Sequence, residues 1–484
     1  MRLRYGAYGP LYLPVETVVR ELDAKLLLSA AAVARGYCVV IGRKSCVRRI
    51  AKENGRGFFL YKSNNDSHVE SYFRPLREAR VITSALDEEG FVWPSSEDYL
   101  RDRVGAGQAF DWLSSLFAWG AEQESWFRKG FPQRGFDNLY VTGNVRFDIL
   151  REPYKGVFSD RVGQIRDKHN DFVLINTKFS AGNLARFYGV SHMERVRKSG
   201  KIRNSDDDLY FQGKEEYVKK MWGHYVEAVR FLARQFPDVN FIVRPHPSEE
   251  RSTWEDGLSG LKNAYVQANG NVIPWMMASK AVVHTNCTTG VEAFLAGKPV
   301  FRYHPEYDER YESEFPNSLG YGFDNIEELS LGIKRVLDEG EERVVGEQQV
   351  KGREVVKHHL ESYDGDYAYQ RILDAYDDVA RERGLDDKVS FLKVDKSLKS
   401  YAKSKLVNCF RQHEKFLAAV CGSSFRERAL QRSQKFPGVS ETYVLKMVGS
   451  YLDMSLDLQK TSFKVYELDP DCFLVAPFGD GSCS

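Results

Sequence analysis

The sequence predicts an α/β protein of two halves, each a parallel sheet covered by helices on both faces, followed by a C-terminal extension. Three observations carry that expectation. A chain of 484 residues exceeds what one core organises and points to two or three domains. Short apolar runs alternate with amphipathic helical stretches from Leu11 onward, and the alternation starts afresh at Asp171 with FVLINT. Two of the apolar runs end in polar turns, RPHP at Arg244 to Pro247 and HTNCTTG at His284 to Gly290. Strand exits of one parallel sheet converge on ligands outside its carboxyl edge.

In the first half, Leu11 to Leu13 opens a strand. Glu16 to Arg35 then has helical periodicity through Val19, Leu22, Leu26 and Ala30, and Gly36 closes it. Tyr37 to Ile41 is a buried strand, with Phe58 to Leu60, Val81 to Thr83 and Asn138 to Val141 as further strands. Gly143-Asn144 and the stretch to about Arg166 form the hinge. In the second half FVLINT is a strand, Ser180 to Gly213 an irregular polar insertion, and Lys214 to Gln235 a long amphipathic helix. Asn240 to Val243 is the strand that leads into RPHP, and Tyr265-Val266, Ala281 to Val283 and Val300 to Tyr303 continue the sheet. Val291 to Ala296 reads as a helix closed by Gly297, and Ile326 to Leu337 and Glu354 to Arg383 are helical. The expected domains are 1–165, 166–383 and 384–484.

The extension is basic, with twelve Lys/Arg against three Asp/Glu from Lys388 to Lys435. Leu398, Ala402, Leu406, Phe410 and Leu417 recur there at helical spacing. Such a helix either lies on an anionic membrane surface or packs its stripe on the protein with the lysines in solvent. Phe463 to Phe478 reads as one or two short strands. The whole chain carries Lys+Arg 69 against Asp+Glu 68, so it has no nucleic-acid footprint. Seven scattered cysteines without a CxxC pair indicate neither a zinc site nor a disulfide framework, and suit a reduced cytoplasmic setting. No signal-like h-region and no run of eighteen apolar residues occurs. The expected location is the cytoplasm, at most peripheral at the inner face of the membrane.

The candidate site residues follow from the strand exits. The turn His284, Thr285, Asn286, Cys287, Thr288, Thr289, Gly290 precedes a helix, where free N–H groups, the helix dipole and hydroxyls suit an anion. The competing reading is that Thr289-x-x-Glu292 is only a capping box. His246 stands between prolines that rigidify a non-helical exit and hold the imidazole outward, as a phosphate donor. Arg244 pairs either with a ligand anion or with a glutamate such as Glu249. Asn176 and Thr177 end FVLINT on the same edge. Asp87, Glu88 and Glu89 follow a strand of the first half, and three adjacent carboxylates raise one another's pKa. They are a charged loop or, at a carboxyl edge, a nucleophile or general base. Glu16 opens the first helix at the sheet edge beside Arg20, and Arg146 stands near the domain junction.

At LPVETVVRELDAKLLLSAAAVARGYCVVIGRK, LDEEGFV, FAWG, VTGNVRFDIL, FVLINT, RPHPSE and GNVIPWMMASKAVVHTNCTTGVEAFLAGKPV the chain resembles bacterial surface carbohydrate biosynthesis proteins. More distantly it resembles capsule-polysaccharide β-Kdo transferases and sialyltransferase-like enzymes. The resemblance covers about residues 10 to 380. It implies a GT-B-like architecture, two Rossmann-like domains facing across a cleft, with nucleotide on the C-terminal half and acceptor on the N-terminal half. It implies transfer of a 2-keto-3-deoxy sugar, Kdo or nonulosonate-like, from a CMP-activated donor to a glycan or lipid-linked glycan, without a cofactor or metal. His246-Pro247 and Thr288-Thr289 match the phosphate-holding HP and Ser/Thr motifs. Glu88-Glu89-Gly90-Phe91 stands where the Kdo transferases carry Glu-Asp-Gly-Phe, so Glu89 replaces a catalytic Asp and reaches one methylene further. No DxD motif is placed for a metal, since Asp206-Asp207-Asp208 fall in the polar insertion. Two alternatives remain. One is a teichoic-acid-type CDP-polyol phosphotransferase, which needs an N-terminal histidine where only His68 stands before His169. The other is a non-catalytic nucleotide-sugar-binding subunit.

Overall fold

The computed structural model describes residues 2–4, 9–65, 69–90, 92–186, 189–384, 391–393, 435–458 and 460–477. The chain divides into two units, one of residues 1–91, 96–157 and 356–484 and one of residues 92–95 and 158–355. Both are Rossmann-like: parallel sheets wound in two directions with helical connections.

In the first unit, β1 (Arg2–Arg4) only pairs with a distant strand, and the sheet proper begins at β2 (Pro10–Val15). It continues with β3 (Cys38–Arg43), β4 (Phe58–Tyr61), β5 (Ile82–Leu86), β6 (Ser115–Ala118) and β7 (Leu139–Val141). All six are parallel, in the order β3-β2-β4-β5-β6-β7. Their near-continuous apolar runs are those of strands covered on both faces. The Val18–Ala34 helix follows β2, and its run LLLSAAAVA is buried almost all round. The winding reverses between β2 and β4.

The second unit holds β8 (Phe172–Asn176), β9 (Asn240–Arg244), β10 (Ala264–Val266), β11 (Ala281–His284), β12 (Val300–Tyr303) and β13 (Tyr321–Phe323). They are parallel in the order β10-β9-β8-β11-β12-β13, so the first three wind one way and the last three the other. The reversal lies between β8 and β11, where adjacent chains leave the sheet in opposite directions. One face packs Val173, Ile175, Val243, Val283 and Tyr303 against Tyr217, Met221, Tyr225 and Leu232 of the Ser205–Gln235 helix. Strand alternation sends Leu174, Ile242, Val282 and Val300 to the other face, where all are fully buried.

Several expectations need correction. The polar stretch Ser180 to Gly213 is not wholly irregular. It holds the His192–Lys198 helix, started by a Ser191/Glu194 capping box, and the first turns of the long helix. Asn204 caps that helix, and Asp206, Asp207 and Asp208 occupy its first turn, where the dipole favours negative charge. The run Glu354 to Arg383 is two helices, Glu341–His359 and Ala368–Glu382, parted by a turn in which Gly365 takes φ +69°. The second of these belongs to the first unit. Its start is held by the buried Asp148, which accepts the N–H of Ala368 (3.1 Å) and Tyr369 (3.0 Å). Burial pushes the Asp148 carboxyl up to about 7, against those two bonds. The expected boundaries therefore differ from these units, which place residues 356–383 with the N-terminal sheet.

The extension also joins that sheet. β14 (Phe391–Lys393) pairs with β1, while β15 (Phe463–Asp469) and β16 (Cys472–Pro477) form the hairpin expected near Phe463 to Phe478. β16 runs antiparallel along β3, and the Glu441–Met454 helix packs on the Val18–Ala34 helix. Gly42 makes this approach possible, since a Cβ there would stand 2.1 Å from the Asp471 carbonyl oxygen and its φ is +144°. The Asp471 carboxylate accepts from Arg43 (2.9 Å) and from the Val439 N–H (2.9 Å). The basic stretch from Leu398 to Val420 lies outside the described residues. Among those described, no helix is long and apolar enough to cross a membrane.

A chain ending at Arg383 loses the hairpin that covers the β3 edge and the helix that covers Val18–Ala34. We expect it in the insoluble fraction, or melting well below the full chain. Equal solubility and Tm in a thermal melt would show that the extension is dispensable to the first unit.

Candidate active site

The second unit gathers polar strand ends along one edge of its sheet. β9, β8, β11 and β12 end in register on Arg244, Asn176, His284 and Arg302, so these four side chains share one face. Asn176 is 3% and His284 0% exposed, and neither the Asn176 Nδ2 nor the two His284 ring nitrogens find a hydrogen-bond partner among the described residues. Arg244 donates to the carbonyls of Asn269 (3.0 Å) and Gly270 (2.9 Å), with its guanidinium 5.2 Å from the Trp275 ring centre. Burial lowers its pKa to about 10, so it stays charged while ordering the β10 exit. It does not pair with Glu249.

Glu249 instead ties two strand exits together. Its buried carboxylate accepts from Thr177 Oγ1 (2.8 Å), Phe179 N–H (2.9 Å), His246 N–H (3.1 Å) and Trp254 Nε1 (2.9 Å). Burial raises its pKa against the pull of these bonds. Thr177 is thereby committed to the scaffold. The His246 ring is exposed, as its flanking prolines predict, with Nδ1 2.6 Å from Ser248 Oγ.

Between β11 and its helix, several of the candidate residues are taken up by the framework. The helix runs Thr288–Leu295, starting three residues before the expected Val291. Its N-cap residue is Cys287, which makes no side-chain cap bond among the described residues. Thr289 is in the first turn with its hydroxyl on Cys287 Sγ (3.2 Å), and Glu292 is 2% exposed on the buried face, so no Thr289/Glu292 capping box forms. His284, expected as a donor contact, lies under this helix. A Cβ on Gly290 would stand 2.3 Å from its ring, so Gly290 is required for helix and strand to approach. Burial, reinforced by His304 and Arg302, pushes the His284 pKa down to about 3 and keeps it neutral. Asn286 takes φ +47° and spends its groups on Asn317 Oδ1 (2.9 Å), the Tyr311 carbonyl (2.9 Å) and the Ser313 N–H (2.8 Å). Thr288 and Thr289 remain half-buried at the mouth.

In the first unit, each of the three carboxylates after β5 meets a cation, and for Glu89 the expected rise in pKa is reversed. Asp87 is 1% exposed and clamped by Arg103 through both carboxylate oxygens, at 2.5 and 2.9 Å, with Tyr99 OH at 3.2 Å. That is a structural role rather than a catalytic one. Glu88 is buried, with Oε1 3.8 Å from Lys25 Nζ and Oε2 without a hydrogen-bond partner among the described residues. Glu89 is half-exposed between Arg20 and Arg103, each at 3.2 Å. Partial burial alone would raise its pKa, but Arg103, Arg20 and Lys62 outweigh this and hold it at about 2. Glu16, at the β2 exit, pairs with Lys435 (2.8 Å), Lys62 (3.0 Å) and Lys44 (3.2 Å). Burial opposes its ionisation, yet the lysines hold its carboxyl well below the usual range. Arg146 is 8% exposed, and its N–H is bound by the Asn144 cap within the first unit.

The two units treat their helix N-termini differently. Glu21, which the sequence did not single out, accepts the N–H groups of Glu16 (3.0 Å) and Thr17 (3.1 Å) and the Lys25 ammonium (3.0 Å). It fills the start of the Val18–Ala34 helix with the protein's own anion. The Thr288–Leu295 helix, at the reversal of the second sheet, has Cys287 as its N-cap residue, whose side chain makes no cap bond among the described residues. Arg103, Lys62 and Lys178 were likewise missed, and Glu249 was read only as an alternative partner of Arg244. Only Lys178, directly after FVLINT, stood beside a residue already of interest. His68 lies outside the described residues.

The sequence matches no family profile and no curated protein. Solved structures of similar architecture include the S. aureus MnaA-UDP co-structure, with TM-score 0.45, 12% identity, and 78% of this chain and 97% of that chain covered. The wall teichoic acid polymerase TagF gives TM-score 0.46 and 12% identity over 78% and 90%. The Methanocaldococcus jannaschii UDP-GlcNAc 2-epimerase with UDP-GlcNAc and UDP gives 0.44 and 12% over 72% and 98%. Nothing further follows from likenesses this distant.

Two outcomes are expected. Asp87→Asn leaves the largely buried Arg103 with only the half-exposed Glu89 as counter-charge and should cost about 3 kcal/mol in urea unfolding. A change below about 0.5 kcal/mol, the usual range for an inert surface site, would show that the clamp is not structural. For Glu89 the folded pKa is depressed, so its contribution to stability is complete above the unfolded value of about 4.3 and is lost as pH falls toward about 2. The stability difference between wild type and Glu89→Gln should then be flat from about pH 5 to 8 and shrink in more acid solution. A step between pH 5 and 8 would contradict it.

Proposed function

We propose that this chain is a glycosyltransferase that moves a 2-keto-3-deoxy sugar from a CMP-activated donor to a glycan or lipid-linked glycan acceptor of the bacterial surface. The observation that carries the reading is the Thr288–Leu295 helix at the strand-order reversal of the second sheet, whose N-cap residue Cys287 makes no side-chain cap bond among the described residues, with the exposed His246 after β9 of the same sheet. A phosphate bound there meets free N–H groups, the helix dipole and the hydroxyls of Thr288 and Thr289. Those donors stabilise cytidylate as it leaves.

The reacting carboxylate is assigned to Glu89 of the first unit. A group held near pKa 2 is a weak general base at neutral pH but is fully ionised, which favours a nucleophile. Its oxygen would bond to the anomeric carbon as the bond to the cytidylate oxygen breaks, releasing CMP. The acceptor hydroxyl then displaces the carboxylate and gives its proton to solvent, restoring Glu89. The basic stretch from Lys388 to Lys435 would hold the enzyme at anionic lipid.

The first test is thermal shift with CMP, CDP, UDP and GDP. Native-state binding adds about 2.7 kcal/mol at a hundredfold excess over Kd, so CMP should raise Tm most. Larger shifts with CDP would favour polyol-phosphate transfer. The second is Glu89→Gln, which should bind CMP as wild type does but transfer sugar several orders of magnitude more slowly, since an amide is neither nucleophile nor base. Mass spectrometry of wild type with donor alone should find a sugar adduct on the Glu89 peptide. Full turnover by the variant would remove Glu89 from the chemistry, and CMP binding with no turnover by wild type would indicate a binding subunit.

A further inference from the structure

We propose that Lys178 is the residue that makes the second unit select a phosphorylated nucleotide over a nucleoside, by supplying the formal positive charge of its phosphate site. This rests on the nucleotide-binding reading above and adds the charge on which it depends. Lys178 leaves β8 one residue after Thr177, and its exposed ammonium reaches across the strand-order reversal to the Asn286 carbonyl of the β11 exit, at 3.3 Å. That carbonyl lies two residues before the helix start at Thr288. No carboxylate among the described residues pairs with Lys178, and Glu249, bound to Thr177 and Phe179 on either side of it, is turned inward onto four donors.

The site has a second sign that a polar ligand is missing. The fully buried His284 ring touches Gly290 in the first turn of that helix, and neither of its nitrogens finds a partner among the described residues. Asn176, its register neighbour on β8, carries an amide nitrogen in the same state. Buried polar groups are ordinarily satisfied, by water or ligand where protein supplies nothing. Here one lies against the first turn of that helix and the other ends the strand that Lys178 follows.

The competing view is a solvated surface lysine. Its counterparts on the first unit's edge argue otherwise, for Lys25, Lys44 and Lys62 each face a glutamate within 4.0 Å. Where the protein intends a lysine to be neutralised internally, it provides the acid. At Lys178 the partner is a neutral carbonyl, which an incoming phosphate oxygen can replace at little cost.

Calorimetric titration of the full chain with CMP and with cytidine, at low and at moderate KCl, decides the matter. Lys178→Ala should weaken CMP binding about ten- to a hundredfold, as expected for a lost charge-assisted bond. It should leave cytidine binding and Tm unchanged and flatten the salt dependence of CMP binding. Lys178→Arg should retain most of the affinity, and Lys220→Ala, an exposed lysine of the long helix, should change nothing. CMP affinity in Lys178→Ala within twofold of wild type would overturn the assignment while leaving the nucleotide site intact. Equal wild-type affinity for CMP and cytidine would also overturn it. A wild type that binds none of CMP, CDP or UDP would bring down the nucleotide reading and this one with it.

Discussion

Parallel pairing constrains everything else in this chain. A parallel strand must return its chain across a face of the sheet, and where successive crossovers change face, two neighbouring strands send their chains apart. Each unit has one such reversal, between β2 and β4 in the first and between β8 and β11 in the second. The splayed exits leave a gap that only side chains or a ligand can fill. The polar residues of interest gather at these gaps because elsewhere the strands are buried on both faces and tolerate only apolar side chains.

How each gap is filled divides the labour. In the first unit the protein supplies both signs of charge. Glu16, Glu21, Glu88, Glu89 and Asp87 are matched by Lys44, Lys62, Lys25, Arg20 and Arg103, and Glu21 takes the helix N-terminus for itself. An added anion would have to displace an ion pair there. In the second unit the edge carries Arg244, Lys178 and His246, while the buried acids Glu249 and Glu312 are turned onto the protein's own donors. On the proposed reading, that asymmetry suits the second edge to binding and the first to chemistry.

The sequence made the architecture legible because strands buried on both faces write themselves as apolar runs, and proline-flanked His246 could only point outward. It misled where position in space decides function. His284, Asn286, Gly290 and Glu292 look polar and small enough to line a site, yet three-dimensional packing spends them on seating the helix and shaping its turn. Asp87, Glu88 and Glu89 are adjacent in sequence, so repulsion seemed unavoidable. The turn after β5 sets them among cations from other segments, and Arg103, sixteen residues beyond Asp87 and bound to both Asp87 and Glu89, could not be paired with them by inspection. The C-terminal helices misled for a related reason. A continuous helical pattern from Glu354 to Arg383 hides a break whose only local mark is the Asp364-Gly365 turn.

The extension answers a problem the first sheet creates. With order β3-β2-β4, β3 would be an open edge, a row of unpaired N–H and C=O groups that invites association. β16 pairs along it in the antiparallel sense, which a hairpin at the chain end can do and a crossover cannot. The same segment brings Lys435 to Glu16 at 2.8 Å and Asp471 to Arg43 at 2.9 Å. Edge closure and the charge balance at the β2 exit therefore depend on one stretch of chain. A substitution that loosens the hairpin removes a cation from Glu16 as well as a strand from the sheet. The C-terminal residues thus bear on the candidate acceptor edge through Lys435, whatever the basic stretch before them does.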